Sequence, residues 1–259
     1  MAARAASKAN SMMRICLAGI TGKVGRELSG AIRKETDFDL VSGVSRTAAG
    51  TLCDGVPIFA SVEEALRDIE TDILVDYTHP SAVKNNVLHA VKRGVRGIIG
   101  TSGLNDEDYA GLASAAESAG VGIIAAGNFS ISATLLKEFA VKAARFMKRW
   151  EILDYGSATK PDAPSGTARE LAFNLRDQVE ECAPHREAVS RGLELNASPI
   201  HSLRLPGIYS GVEIQFGSTG ERLIIRHESS GVEPYVAGTL LAIRRVVSVT
   251  GLIRGSGEF

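Results

Sequence analysis

The sequence predicts an α/β protein: a Rossmann-like, doubly wound parallel sheet, followed by a second, α+β domain with a mixed or open sheet. Three observations predict it. In the first half, short apolar runs alternate with helical patterns, the rhythm of parallel strands joined by crossover helices. A glycine-rich turn, "AGITGKVGREL", lies between the first run and the first helix, where such folds bind phosphate. After Asn128 the rhythm changes, and three apolar runs follow one another with no helix between them. Runs of that kind pair antiparallel.

The first strand is "RICLAG" (14–19), and the glycine turn leads into a helix over 23–33. "DLVSGVS" (39–45) is the second strand. Ser61 and Glu64 have capping-box spacing, with Ser61 as N-cap and Glu64 reaching back, and start a short helix. "DILVDY" (72–77), a helix over 81–92, "RGIIG" (96–100), a helix over 106–119 and "VGIIAA" (121–126) continue the alternation. A long helix over 131–148 leads to "WEILDYGS" and the loop "DYGSATKPDAPSGTA" (154–168). A helix opening at Ala168 is expected to run to about 179. "HSLRLP", "SGVEIQFG" and "RLIIRHES" are the strands without helices between them. A last helix over 235–248 is expected to pack back on the first domain. The chain thus divides into a dinucleotide-binding domain (13–130 with 234–255) and a substrate domain (131–233).

Composition narrows the function classes. With 259 residues, 44% hydrophobic and 23% charged, the chain has the make-up of a soluble globular protein. A net charge of −1 gives no electrostatic reason for a nucleic-acid or anionic-membrane partner. No apolar run approaches the ~18 residues of a membrane span. Cys16, Cys53 and Cys182 are scattered without metal-ligand spacing. Cys16 sits in an apolar strand as a core residue, and the odd, unclustered count fits a cytoplasmic, reducing compartment. The opening "MAARAASKANSM" lacks the apolar core of a secretory signal. Residues 1–12 and 256–259 are expected to be appended ends, with the native start at Met12 or Met13.

Gly19, Gly22 and Gly25 form G-x-x-G-x-x-G, a departure from the strict dinucleotide fingerprint G-x-G-x-x-G. The chemistry survives the change. Glycines admit a tight turn and close backbone approach, and the helix N-terminus offers free N–H groups and a positive dipole end to a pyrophosphate. Thr21, Lys23 and Val24 complete this cradle. An unliganded glycine-rich turn is the alternative. Strand two ends in "GVSRTAAG", with no acid for the ribose hydroxyls. Arg46 is suited to a 2′-phosphate, with Ser45 and Thr47 as hydrogen-bond donors, although an arginine there also reads as an ordinary surface residue. The missing acid favours NADPH, with NADH possible. Further strand ends, "DYTHP", "GTSG" and "AAGNFS", line the cofactor cleft through Thr78, Gly100, Thr101, Asn128 and Phe129. His79, followed by Pro80, is as readily a turn residue as a catalyst.

In the 154–168 loop, Ser165, Gly166 and Thr167 precede a helix, with Lys160 nearby. Hydroxyls, a close backbone, N-terminal N–H groups and a cation describe a carboxylate or phosphate site. A proline-braced N-cap beside a solvated lysine describes it equally well.

"GITGKVG", "DYTHP", "GTSG", "GNFS", "KPDAPSGTA" and "GERLIIRHESS" resemble, in order and spacing, the 4-hydroxy-tetrahydrodipicolinate reductase (dihydrodipicolinate reductase) family of the diaminopimelate–lysine pathway. The resemblance runs from Met13 to about Gly255. It implies hydride transfer from NAD(P)H to a cyclic unsaturated imine dicarboxylate, an oligomerisation role for the second domain in a homotetramer, and domain closure on binding. By position it assigns Lys160, Ser165, Gly166 and Thr167 to a substrate carboxylate, and Thr101 and Ser102 to nicotinamide and substrate. Arg46 falls on the adenosine ribose or its phosphate, and Asn128 and Phe129 beside the nicotinamide.

One departure bears on catalysis. The family reads E-x-H-H-x-x-K before D-A-P-S-G-T, its first histidine the proton donor and its second a substrate contact. Here Gly156 and Ser157 stand at those positions, and neither is a general acid near neutral pH. Three outcomes are open: solvent or Lys160 supplies the proton, the pocket serves another imine or unsaturated acid, or the protein binds NADPH without turnover. Of the remaining histidines, His227 reads as structural, and nothing in the sequence brings His201 to the site.

Overall fold

The computed structural model describes residues 12–178 and 191–255. In chain order the elements begin with β1 (Met13–Ala18), α1 (Lys23–Ile32), β2 (Phe38–Val44), β3 (Leu52–Cys53), β4 (Val56–Phe59) and α2 (Val62–Asp68). β5 (Ile73–Asp76), α3 (Pro80–Lys92), β6 (Arg96–Ile99), α4 (Asp106–Ala119) and β7 (Gly122–Ala125) follow. Next come α5 (Ile131–Ala144), β8 (Trp150–Ser157), α6 (Gly166–Leu175), β9 (Leu193–Leu195) and β10 (Ser198–Leu205). The chain closes with β11 (Ser210–Ser218), β12 (Glu221–Ser229), α7 (Pro234–Val246) and β13 (Gly251–Arg254). Two units result, one ending at Ala126 and resuming at Val236, the other Gly127–Tyr235.

The first unit carries the sheet β13-β7-β6-β5-β1-β2-β4-β3, parallel throughout except for the β3–β4 pair. Every residue of β5 and β7 is buried. That is why these strands read as unbroken apolar runs: parallel strands have both faces covered by helices. Cys16 is a fully buried member of this core, and burial pushes its thiol up to about 12. It is packing, not chemistry. The glycine turn connects β1 to α1 at the carboxyl edge of the sheet, where β2, β5 and β6 also end. On α7, Arg244 pairs with Asp37 (2.8 Å) and lies over the Phe38 ring, which ties this late helix to the start of β2.

The second unit carries the sheet β12-β11-β8-β10-β9. Its core gathers Leu136, Ala140, Trp150, Ile152, Leu171, Leu175, Ile214 and Phe216. Trp150 packs on Phe216 (centroids 5.9 Å apart) and donates its indole N–H to Ser198 Oγ (2.9 Å). The expectation that consecutive runs pair antiparallel holds for β11 with β12 but not for β10 with β11. β8 lies between those two, parallel to β10 and antiparallel to β11. The helical segment after β8 supplies the crossover that a parallel β8–β10 pair needs.

Several boundaries differ from the sequence reading. Ser61 Oγ accepts from Glu64 N–H (3.2 Å), but Glu64 reaches past its cap to the N–H of Ala60. α5 stops at Ala144, where the Phe146 N–H bonds the Ala143 carbonyl three residues back and tightens the last turn. α6 opens at Gly166, with Ser165 as N-cap, and passes into a 3-10 turn at Arg176–Gln178. Residue 179, Cys182 and the two expected appended ends, apart from Met12, lie outside the described residues. The β3–β4 hairpin, β9 and β13 were not anticipated. Asp54 and Gly55 both have positive φ (49° and 86°), the Asp-Gly hairpin signal in full.

His227, on β12, is buried and bonded through Nδ1 to Ser132 Oγ (2.9 Å), while Nε2 has no partner. Burial holds its pKa below the ordinary value, opposed more weakly by the nearby Glu228. The unfolded chain therefore takes up a proton near pH 6.5 that the folded site refuses until lower pH. Stability is complete above that pH and declines as pH falls through it. Urea midpoints at about pH 7.5 and about pH 5.5 should differ less for His227→Gln than for the parent, and an equal difference in both would reject this account.

Candidate active site

The β1–α1 turn is shaped by two close approaches. Gly19 has φ +85°, and a Cβ there would run into the Tyr77 carbonyl oxygen. At Gly25 a Cβ would overlap the Gly19 carbonyl and come within 2.9 Å of Ile20 Cα, so only glycine lets α1 sit down on the turn. Gly22 donates its N–H to Gly19 O (2.9 Å) and precedes α1 as an N-cap without a side-chain bond. The first turn of α1 contains no acid. The N–H groups of Lys23, Val24 and Gly25 thus remain for an anion, with the Lys23 side chain exposed beside them. These residues fit a dinucleotide pyrophosphate.

At the end of β2, Ser45 Oγ bonds Thr21 Oγ1 (2.8 Å) and Thr47 Oγ1 (3.3 Å), so a chain of hydroxyls joins the glycine turn to the 45–47 loop. Arg46 is exposed and forms no ion pair among the described residues.

Asp76, at the carboxyl end of β5, organises the other two strand ends and was missed from sequence. It is fully buried. Oδ1 accepts from the Thr78 N–H (3.0 Å), the Thr78 hydroxyl (2.7 Å) and the Thr101 hydroxyl (2.8 Å), and Oδ2 from Asn86 Nδ2 (2.8 Å). Thr78 and Thr101 are thus fixed on one carboxylate, whose signal was an acid closing an otherwise apolar strand. Gly100 has a local reason to be glycine: a Cβ would fall on the Tyr77 ring, whose hydroxyl bonds Thr239 Oγ1 (2.7 Å) on α7. Ser102 is exposed in the same unit. His79 is the N-cap of α3, its Nδ1 accepting from the Ser81 N–H.

In the second unit a second buried carboxylate plays the same part. Asp154 Oδ2 accepts from the Ser165 N–H (2.8 Å), Ser202 Oγ (3.1 Å) and Arg204 Nη2 (2.7 Å). Ser165 Oγ accepts from the Ala168 N–H (3.2 Å), so its oxygen is committed to capping α6. The N–H groups of Gly166 and Thr167, and the Thr167 hydroxyl, are what this end of α6 offers a ligand, again with no acid in the first turn. Asn128 Nδ2 donates to Thr167 Oγ1 (3.3 Å) and its Oδ1 accepts from the Ser130 N–H, which places Asn128 at the α6 end. The Phe129 side chain is buried. Lys160 Nζ pairs with Asp162 (2.8 Å), and Ser157 Oγ lies 3.4 Å from Thr159 Oγ1.

Among the described residues of this unit, neither histidine bonds to this loop. His201 Nε2 pairs with Glu151 (2.7 Å), and His227 bonds Ser132. Among the described residues no three His, Cys, Asp or Glu side chains gather as for a metal, and no helix is long and apolar enough to cross a membrane.

Two adjacent family models match the chain: "Dihydrodipicolinate reductase, N-terminus" over residues 13–129, and "Dihydrodipicolinate reductase, C-terminus" over 132–254. The chain belongs to the dihydrodipicolinate reductase family. It is 38% identical to a 4-hydroxy-tetrahydrodipicolinate reductase of Synechococcus elongatus, covering 92% of this chain and 94% of the relative. Identity to the enzyme of that name in Listeria monocytogenes serotype 4b is 33%, over 94% and 98%. Among solved structures, a dipicolinate-bound dihydrodipicolinate reductase from Paenisporosarcina sp. TG-14 superposes with a TM-score of 0.79 at 29% identity, covering 95% of this chain and 98% of that one. Dihydrodipicolinate reductases bind NAD(P)H through the Rossmann-like N-terminal domain, which here presents the uncapped α1 end.

Removing the Asp76 carboxylate strands three side-chain donors and one backbone N–H. Asp76→Ala should cost roughly 3 kcal/mol of stability in urea titrations and weaken NADPH binding at least about tenfold by fluorescence, with Asp76→Asn intermediate. Unchanged NADPH affinity in a folded Asp76→Ala protein would show that Thr78 and Thr101 do not serve the cofactor.

Proposed function

We propose that the chain is an NADPH-dependent 4-hydroxy-tetrahydrodipicolinate reductase, reducing a cyclic unsaturated imine dicarboxylate. The observation that carries the substrate class is the α6 N-terminus: free N–H groups at Gly166 and Thr167, a hydroxyl on Thr167, the Lys160 cation in the loop that leads into it, and no acid in the first turn. When bound, the nicotinamide supplies a hydride to the unsaturated carbon. The α1 end and the hydroxyls of Thr21, Ser45 and Thr47 hold the dinucleotide, with Arg46 on the 2′-phosphate. Lys160 and Thr167 orient the carboxylate, and Thr101 and Ser102 line the nicotinamide side. The proton that completes the reduction comes from water or from the Lys160 ammonium, because glycine and serine occupy positions 156 and 157. By family likeness the working form is a homotetramer; the exposed Leu223 and Ile224 on β12 support self-association.

A second reading has its own observation. Neither His201 nor His227 bonds to the 160–167 loop, which favours a divergent reductase of another imine or unsaturated acid. NADPH oxidation with enzymatically generated hydroxy-tetrahydrodipicolinate separates the two. Turnover above background supports the first reading, whereas turnover only with other cyclic imines supports the second. NADPH binding with no turnover on any imine would defeat both.

Lys160→Ala and Thr167→Ala should each lower kcat/KM about 10- to 100-fold, as loss of a charge-assisted contact implies, with NADPH affinity intact. Arg46→Ala should raise KM for NADPH at least about tenfold while barely changing KM for NADH. An equal effect on both cofactors would remove Arg46 from the 2′-phosphate.

A further inference from the structure

Arg204, on β10, spreads its guanidinium over β8, its own strand and the loop that follows β8. Nε donates to the Asp162 carbonyl (3.2 Å) and Nη1 to the carbonyls of Asp154 (3.1 Å) and Leu203 (2.8 Å). Nη2 donates to Asp154 Oδ2 (2.7 Å) and again to the Asp162 carbonyl (2.6 Å). All five N–H donors are used. The same Asp154 oxygen holds the Ser165 N–H, so one side chain fixes both the middle of the loop and, through Asp154, the cap of α6.

Gly156 stands beside Arg204 in the parallel β8–β10 register. A Cβ at 156 would lie 2.9 Å from Lys160 Cδ, 3.1 Å from Arg204 Nε and 3.2 Å from Arg204 Cδ. The Lys160 stem can swing away, whereas five hydrogen bonds pin Arg204. The space over Gly156 is therefore occupied by the stems of two cationic side chains, and a side chain added there displaces Lys160 first.

We propose that Arg204 is the positioning residue of the carboxylate anchor, and that glycine at 156 is the specificity-determining feature that lets Lys160 and Arg204 share one site. The proposal rests on the reading of the 160–167 loop as a carboxylate site. Lysine cannot replace Arg204, because an ammonium lacks the planar fork that meets carbonyls on two strands and a loop together. An imidazole restored at 156 would likewise cost the anchor more than it returns as an acid.

The test is calorimetric binding of dipicolinate to the full chain with NADPH, alongside steady-state kinetics of the reductase reaction. Trp150, the sole tryptophan and buried in the second unit, reports by its emission whether that unit stays folded. Arg204→Lys should weaken dipicolinate at least about tenfold and raise KM more than it lowers kcat, with NADPH affinity within about twofold of the parent. Gly156→Ala should weaken dipicolinate about threefold or more, and Gly156→His about tenfold or more with no gain in kcat. Should Arg204→Lys shift the Trp150 emission, the two Gly156 variants carry the test. Parent-like dipicolinate affinity in folded Arg204→Lys and Gly156→Ala, or a higher kcat in Gly156→His, would overturn the proposal alone. Failure of the parent protein to bind dipicolinate would overturn the carboxylate reading and this inference with it.

Discussion

A carboxylate taken out of water must be met by donors that converge on it, or the fold does not form. Asp76 and Asp154 are both fully buried at or near the carboxyl ends of strands, and each turns that requirement into positional information. Around Asp76 the obligatory donors are Thr78, Thr101 and Asn86, from two strand ends and a helix. Around Asp154 they are Ser165, Ser202 and Arg204, from the helix cap and the neighbouring strand. Desolvation supplies the penalty for leaving the two Asp76 oxygens or Asp154 Oδ2 unmet, and the loops are held because moving them would incur it. The ligand-facing residues are thereby fixed by polar groups that need not touch a ligand themselves.

Helix ends show where such fixing leaves room for an anion. α4 begins with Asn105 in a full capping box and carries Asp106, Glu107 and Asp108 in its first turn, so its positive end is already satisfied. α2 is closed by Ser61, Glu63 and Glu64 in the same way. α1 and α6 lack first-turn acids, and α1 lacks even a side-chain cap. The difference is one of sequence chemistry, since all four are ordinary amphipathic helices. Acids in the first turn repel exactly the groups that phosphate and carboxylate ligands present. α3, α5 and α7 also lack first-turn acids, so what sets α1 and α6 apart is the glycine turn and the 160–167 loop that lead into them.

Much of this was legible in the sequence, and the exceptions have physical causes. Buried parallel strands announce themselves as apolar runs, so β1, β5, β6 and β7 were readable. Gly19 and Gly25 were readable because a turn packed against Tyr77 and α1 tolerates no Cβ at either position. β13 was not, being a four-residue edge strand with a single buried residue. The β10–β8 pairing was hidden because adjacency along the chain suggests a hairpin, and only the crossover after β8 makes a parallel partner available. Asp76 and Asp154 sat inside readable strands, but which donors converge on a carboxylate is a property of tertiary structure. Arg204 lies 50 positions from Asp154, and no local pattern links them.

The Lys160 cation, in the same loop, forms an ion pair of a different kind. Its Nζ is held 2.8 Å from Asp162, with 30% and 40% of the two side chains exposed. A pair that open to solvent contributes less than about 1 kcal/mol, so its loss would cost little. The pair does, however, limit the rotamer freedom of the Lys160 side chain. The buried Asp154–Arg204 contact has the opposite character: with Asp154 fully buried and only 15% of the Arg204 side chain exposed, it cannot exchange without stranding a charge. The loop is thus shaped by a fixed ion pair to Arg204 on β10 and carries a loose, solvent-open pair of its own. On the proposed carboxylate reading, discrimination falls to what else the ligand must satisfy, which is the backbone at Gly166 and Thr167 and the space over Gly156.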